Sequence, residues 1–257
     1  MTELSLVRGA QTPSLLETTI GEAFDAAVRR WPEREALVSA HQGMRYSFAE
    51  LGRRVDAVAA AFVALGLEKG DRVGIWAPNC AEWAITQFAA AKAGLILVTI
   101  NPAYRPHELV FTLNKVGVKA LVCASRFKTS DYPAMVEEVA PDVAASKTRE
   151  LNSKFLPALR YLIKIGGPAR GPFMDFDDLY TLATPEHHGR LAEIARGLDR
   201  NEAINIQFTS GTTGLPKGAV LSHRNILNNG CFVGLAQGLS ENDRLCIPVP
   251  LYHCSAW

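Results

Sequence analysis

Three short apolar runs constrain this chain more than anything else in it. DRVGIWA (71–77), LILVTI (95–100) and VKALVC (118–123) are separated by two stretches of helical length. A strand that is apolar at nearly every position has both faces buried. Between the runs, CAEWAITQFAAAKAG reads as a helix closing at Gly94. Pro106 opens a second helix that runs through Lys115 and closes at Gly117, with proline at the start and glycine past the end as helix termini favour. Strand, helix, strand in this rhythm predicts a parallel sheet covered on both sides. The predicted fold class is α/β, with parallel-rich sheets covered by helices.

The flanking sequence agrees. Thr19 and Glu22 form a capping box, and Ile20, Ala23, Phe24, Ala27, Val28 and Trp31 follow at helical spacing until Pro32. EALVS and MRYS around HQG predict a hairpin. Ser47 and Glu50 cap the next helix, which ends at Gly66, and a further helix is expected over 132–139. Residues 141–172 are less regular, with YLIKI as a strand, while DFDDLYTLA and HGRLAEIARGL read as surface helices. From Asn201 the pattern restarts with strand INIQFTS, a loop, short strand GAVLS, a helix from Ser222 and strand RLCIPVP. We therefore expect a first α/β part over about 1–200, linker included, and the start of a second α/β unit over 201–257.

Several function classes are disfavoured. A formal net charge of +1 with dispersed basic residues gives no electrostatic case for a nucleic-acid partner. The longest clean apolar run, AGLILVTI, falls far short of the roughly 20 residues of a transmembrane helix. The N-terminus has neither a secretory apolar core nor the Arg-rich, acid-poor character of a transit peptide, so a cytoplasmic protein is expected. The five cysteines form no C-x-x-C pair and sit mostly in apolar segments, so they read as reduced, mostly buried small hydrophobes. The histidines show no metal spacing, and no metal ligand is assigned.

The chemistry concentrates in QFTSGTTGLPKGAVLSHRN, residues 207–225. Gly211, Gly214 and Gly218 allow backbone N–H groups to converge on one anion. Thr209, Ser210, Thr212 and Thr213 add hydroxyl donors, Lys217 adds a mobile positive charge, and Pro216, after Leu215, stiffens the loop before it. No carboxylate lies in the stretch to repel an anion. A Walker A loop would need Ser or Thr after the lysine, where Gly218 stands, and the glycine spacing is not G-x-G-x-x-G. A Walker-type kinase or ATPase is thereby disfavoured. A polar hairpin turn accounts for the glycines, but not for four hydroxyls and a lysine at this density.

FTSGTTGLPKGAVLSH resembles the phosphate-binding signature of the adenylate-forming enzymes, which include acyl-CoA synthetases, aryl-CoA ligases, luciferases and peptide-synthetase adenylation domains. RYSFAEL, LGLEKGDRVGIWAPNCAEW, AKAGLILVTINPAYRPHEL and PLYHC extend the resemblance over nearly the whole chain, closest to the medium-chain fatty acyl-CoA synthetase branch. The resemblance implies a two-step ligase. A carboxylic acid attacks the α-phosphate of ATP to give an acyl-adenylate and pyrophosphate, and the thiol of CoA then displaces AMP. It implies that residues Thr209 to Lys217 wrap the β- and γ-phosphates, with Lys217 stabilising phosphate charge and Mg²⁺ sharing it. It places His253 in the acyl pocket, against the alternative of a partly buried core histidine.

The chain also departs from that family. Members are much longer, and the Tyr-Gly-x-Thr-Glu segment for adenine and magnesium and the Thr-Gly-Asp segment for ribose do not occur in residues 1–257; nor does the hinge leading to a C-terminal domain with its lysine. The expectation is a partial N-terminal AMP-binding domain, inactive in isolation. After PLYHC, relatives commonly continue Phe-Gly-Met, whereas this chain has Ser255-Ala256-Trp257, as a one-base shift in reading frame produces from such codons. Translating the downstream DNA in the other frames tests that. RLCIPVP would lack later neighbours, so an uncovered sheet edge and oligomerisation or aggregation through it are expected. Two other readings stay open: another adenylate-forming ligase (aryl-CoA ligase or adenylation domain), and a non-catalytic nucleotide-binding remnant.

Overall fold

The computed structural model of the chain describes residues 9, 12–168, 170–209 and 216–254. Helix α1 (Ile20–Arg30) starts behind Thr19, whose side chain accepts from the Glu22 N–H while Glu22 reaches back. Strands β1 (Glu35–Ser39) and β2 (Met44–Ser47) form the expected antiparallel hairpin. Ser47 and Glu50 then cap α2 (Phe48–Ala64). The alternating core follows as β3 (Arg72–Trp76), α3 (Ala81–Lys92), β4 (Ile96–Thr99), α4 (Pro106–Val116) and β5 (Val118–Ala124). Gly94 turns the chain after α3 at φ +67°, where a Cβ would meet Leu198 at 2.7 Å, so glycine is needed twice over. Next come β6 (Arg126–Phe127), β7 (Ser130–Asp131), α5 (Tyr132–Val139), α6 (Pro141–Ala144), β8 (Tyr161–Ile165), β9 (Met174–Asp175), α7 (Leu179–Leu182) and α8 (Pro185–Arg196). Strands β10 (Ala203–Phe208) and β11 (Gly218–Ser222) and helix α9 (His223–Ala236) complete the described elements.

One seven-stranded sheet carries the fold, in the order β11-β10-β4-β3-β5-β8-β9. All neighbours are parallel except β10 and β11. Strand β4 lies on one side of β3 and β5 on the other, so right-handed crossovers place α3 and α4 on opposite faces. In keeping with this, α1 and α2 pack on α3, while α5 packs on α4. The sequence reading put β10 at the start of a second unit. In the structure it hydrogen-bonds to β4, Gln207 opposite Thr99, and extends the same sheet.

The apolar runs are buried as their composition demands, with Val73, Ile75, Val98, Leu121 and Val122 all fully enclosed. Burying one such side chain stabilises the fold by roughly 1.5–3 kcal/mol. Trp76 stacks on Tyr132 with ring centroids 3.8 Å apart. The Trp76 indole N–H donates to the Asn101 carbonyl (3.1 Å) and the Tyr132 hydroxyl to the Pro102 carbonyl (2.6 Å). Those bonds anchor the turn after β4, in line with its scaffold reading. Lys92, nearly buried, ion-pairs with Asp25 at 2.6 Å and with Asp56, tying α1, α2 and α3 together.

Three expectations are corrected. RLCIPVP (244–250) is exposed and forms no strand. A strand exists by pairing, and this segment meets no free sheet edge. It is held instead by the Arg244 guanidinium donating to Glu35 and by the Asn79 carboxamide donating to the Val249 carbonyl. DFDDLYTLA is not a surface helix throughout: β9 reaches its first residue, a short 3-10 turn follows, only α7 is α-helical, and Phe176 and Leu179 are buried. Of the cysteines, only Cys123 is fully buried; Cys80 and Cys231 are half-buried, and Cys246 and Cys254 lie exposed in the unpaired C-terminal stretch.

Candidate anion site at the carboxyl edge of the sheet

The two stalks of the glycine- and threonine-rich loop are β10 and β11. Their ladder closes with Phe208 opposite Gly218. One rung further, the Thr209 N–H donates to the Lys217 carbonyl (2.9 Å), and the Lys217 N–H donates to Thr209 Oγ1 (3.2 Å). The loop therefore leaves a fixed base, with Pro216 half-buried and Lys217 exposed. At Gly218 an added Cβ would lie 3.1 Å from Ile206 Cγ2, so glycine lets the second stalk press close to the first. Ser210, Gly211, Thr212, Thr213, Gly214 and Leu215 lie outside the described residues.

Because β10 runs parallel to β4, β3 and β5, the loop emerges at the edge where those strands end. Ligands of α/β sheets bind outside those carboxyl ends. The turns after β3 and β4 open on the same edge. In the first, Asn79 accepts from the Leu251 N–H (2.7 Å) and donates to the Val249 carbonyl (2.9 Å). In the second, burial, and then Glu108 and Tyr252, push the Tyr104 phenol above its usual range. Asn79 thus brings the segment carrying His253 to the edge from which the loop departs.

His253 itself is exposed, with its N–H donating to the Pro250 carbonyl (3.0 Å) and its ring edge-on to Tyr252. It is not a core histidine. A concavity of about 440 Å³ lined by Thr148, Glu150, Leu151, Asn152 and Arg160 lies at the opposite edge, where Arg160 precedes β8 and bonds to Lys119 at the start of β5. Among the described residues, no group of three or more His, Cys, Asp or Glu could hold a metal ion. The donors at the loop base are a hydroxyl and an ammonium with no carboxylate beside them in the sequence, a set that suits an anion. Lys217 makes no ion pair among the described residues, which leaves its charge available.

Sequence reasoning missed Asn79; its signal was a polar residue directly after Pro78 in a strand-to-helix turn. It also missed the contacts that fasten α9 to the segment before α1, because they join residues some two hundred positions apart.

The AMP-binding enzyme family profile matches residues 24–257. The medium-chain acyl-CoA ligase ACSF2, mitochondrial, of Danio rerio is 42% identical over 252 residues, covering 97% of this chain and 41% of that protein. The chain thus spans about two fifths of that relative's length. Among solved structures, a long-chain-fatty-acid-CoA ligase (FadD1) from Archaeoglobus fulgidus superposes with a TM-score of 0.74 at 22% identity, covering 99% of this chain and 46% of that one. The N-terminal domain of FACL13 from Mycobacterium tuberculosis gives 0.69 at 23% identity, covering 93% and 53%. Both likenesses are of fold, and the fold they share is the mixed α/β, parallel-rich sheet described above.

Proposed function

This chain belongs to the AMP-binding enzyme family, and on that premise we propose that its β10–β11 hairpin is the part of an acyl-CoA synthetase that holds the β- and γ-phosphates of ATP. The carrying observation is the reciprocal Thr209–Lys217 pair, which fixes the base of a carboxylate-free loop and leaves the lysine exposed. The reaction served is activation of a carboxylic acid. The acid oxygen attacks the α-phosphorus of ATP, the bond to the β-phosphate oxygen breaks, and pyrophosphate leaves. Charge grows on that departing oxygen, so a positioned ammonium and hydroxyls lower the barrier electrostatically. Mg²⁺ would arrive with the nucleotide and share the phosphate charge. The sulfur of CoA would then attack the acyl carbon and release AMP.

A medium-chain fatty acid is the substrate we propose, from the name of the Danio rerio relative. His253 is proposed to border the acyl group, since Asn79 holds its segment at the carboxyl edge. Calorimetric titration of the 257-residue chain with Mg-ATP, with and without Lys217→Ala, tests the loop. A silent titration for the unsubstituted chain would remove the reading. The division near residue 200 is also our proposal, and limited proteolysis between α8 and β10 tests it. For compartment, the cytoplasm is proposed from the sequence, while the zebrafish relative carries a mitochondrial name; fractionation of cells expressing the tagged chain decides between them. No helix among the described residues is long and apolar enough to cross a membrane.

A further inference from the structure

The phosphate hairpin has two feet at the end away from the loop: the turn before β10, and the start of α9. The Arg224 N–H donates to the Arg200 carbonyl (2.8 Å), so the feet are joined. The segment before α1 then grips both. Glu17 ion-pairs with Arg200 on one foot and with Arg224 on the other (3.0 Å). The carboxamide of Asn228 accepts from the Leu16 N–H (2.7 Å) and donates to the Leu16 carbonyl (3.0 Å). At the centre, His223 Nδ1 accepts from the Ile20 N–H at 3.2 Å, with His223 only 1% exposed.

Apolar contact alone could have docked α9, since Ile20, Ile204, Ile226 and Leu227 already meet there. The added polar grip is directional. It fixes the angle at which α9 leaves β11, the edge strand of the sheet, whose other end follows directly on Lys217. His223 can accept a hydrogen bond at Nδ1 only when that nitrogen carries no proton. The carboxylates of Glu202, Glu22 and Asp199 face it, and Arg200 and Arg224 flank it. Burial outweighs the carboxylates and holds the imidazole down to about 4, so it is neutral near pH 7.

We infer that residues 16–20 act as a clasp which, through His223 as a positioning residue, sets the pose of the hairpin presenting Lys217, and so tunes its grip on polyphosphate. This rests on the phosphate-loop reading above. The test uses the 257-residue chain with inorganic tripolyphosphate and Mg-ATP as probes, read by calorimetry, and backbone amide exchange over 204–208 and 218–222. His223→Leu fills the space but removes the acceptor, and should weaken tripolyphosphate by about tenfold while speeding hairpin exchange, the scale set by one unpaired buried donor. His223→Asn offers Oδ1 where Nδ1 stood and should stay within about twofold of the unsubstituted chain. Should His223→Leu not fold, Glu17→Gln keeps the buried core and should show the same two changes, smaller in size. If the unsubstituted chain binds and His223→Leu or Glu17→Gln binds and exchanges identically, the clasp is refuted. If the unsubstituted chain binds neither probe, the phosphate-loop reading falls, and hairpin exchange alone decides whether the clasp sets the hairpin.

Discussion

Acid should weaken this fold over a window set by one imidazole. In the unfolded chain His223 titrates near the ordinary 6.5, and in the fold it is held to about 4 by burial against Glu202, Glu22 and Asp199. Between those values the unfolded chain takes up a proton that the folded chain refuses, so stability falls as pH drops from about 6.5 to about 4 and the loss then levels off. The gap of 6.5 to about 4, at about 1.36 kcal/mol per unit, makes the full loss about 3 kcal/mol. That is a large share of the roughly 5–15 kcal/mol that holds a domain together. Urea unfolding at pH 7.5, 6.5, 5.5 and 4.5, at low protein concentration, measures the slope. The same series on His223→Asn, which keeps an acceptor for Ile20 but cannot titrate, subtracts the carboxylates Glu22, Glu35 and Glu50, whose lowered values contribute at more acidic pH. The unsubstituted chain should lose more stability than the variant between pH 6.5 and 4.5. Parallel curves would show that His223 is not buried neutral as drawn, and the hydrogen bond from Ile20 would go with it.

Other outcomes follow from the same geometry. Lys217→Ala should weaken tripolyphosphate by about tenfold or more, as loss of a charge-assisted contact predicts; calorimetry reads it, and unchanged affinity removes the lysine from the site. Tyr132→Phe keeps the stack on Trp76 but strands the Pro102 carbonyl, and should cost about 1–3 kcal/mol in urea unfolding. The exposed apolar side chains Phe232, Val233, Leu235 and Leu245 should drive self-association. Light scattering should show a smaller particle for Phe232→Ser combined with Leu235→Gln, and no change would place the contact elsewhere.

Much of the frame was legible because its signals are local. The capping boxes at Thr19 and Ser47, the apolar strands β3, β4 and β5, and the glycine closing α4 all lie where spacing put them. What failed or went unread needed partners at a distance. RLCIPVP has the composition of a buried strand, but composition does not supply a neighbour to pair with. The place of β10 beside β4 is a choice of order in space, and no periodicity encodes it. At Thr184 the N3 member of the capping box is His187 rather than Glu or Gln, so the usual signature missed it. For the candidate site, the chemistry of the loop could be read residue by residue. Its support by Asn79 and by the clasp could not, since each contact there joins a single polar residue to a remote backbone or side chain.

The pairing of β10 with β4 also sets a timetable for a chain still on the ribosome. Strand β4 ends at Thr99 and its partner ends at Phe208, 109 residues later. At roughly 5–20 residues per second, that leaves the open side of β4 waiting on the order of 5–20 s after it has been made. Its other side can pair with β3 at once. During the interval the nascent sheet shows an apolar, unprotected strand to every other chain in reach, which makes this stretch of translation the time when a chaperone would matter most to it.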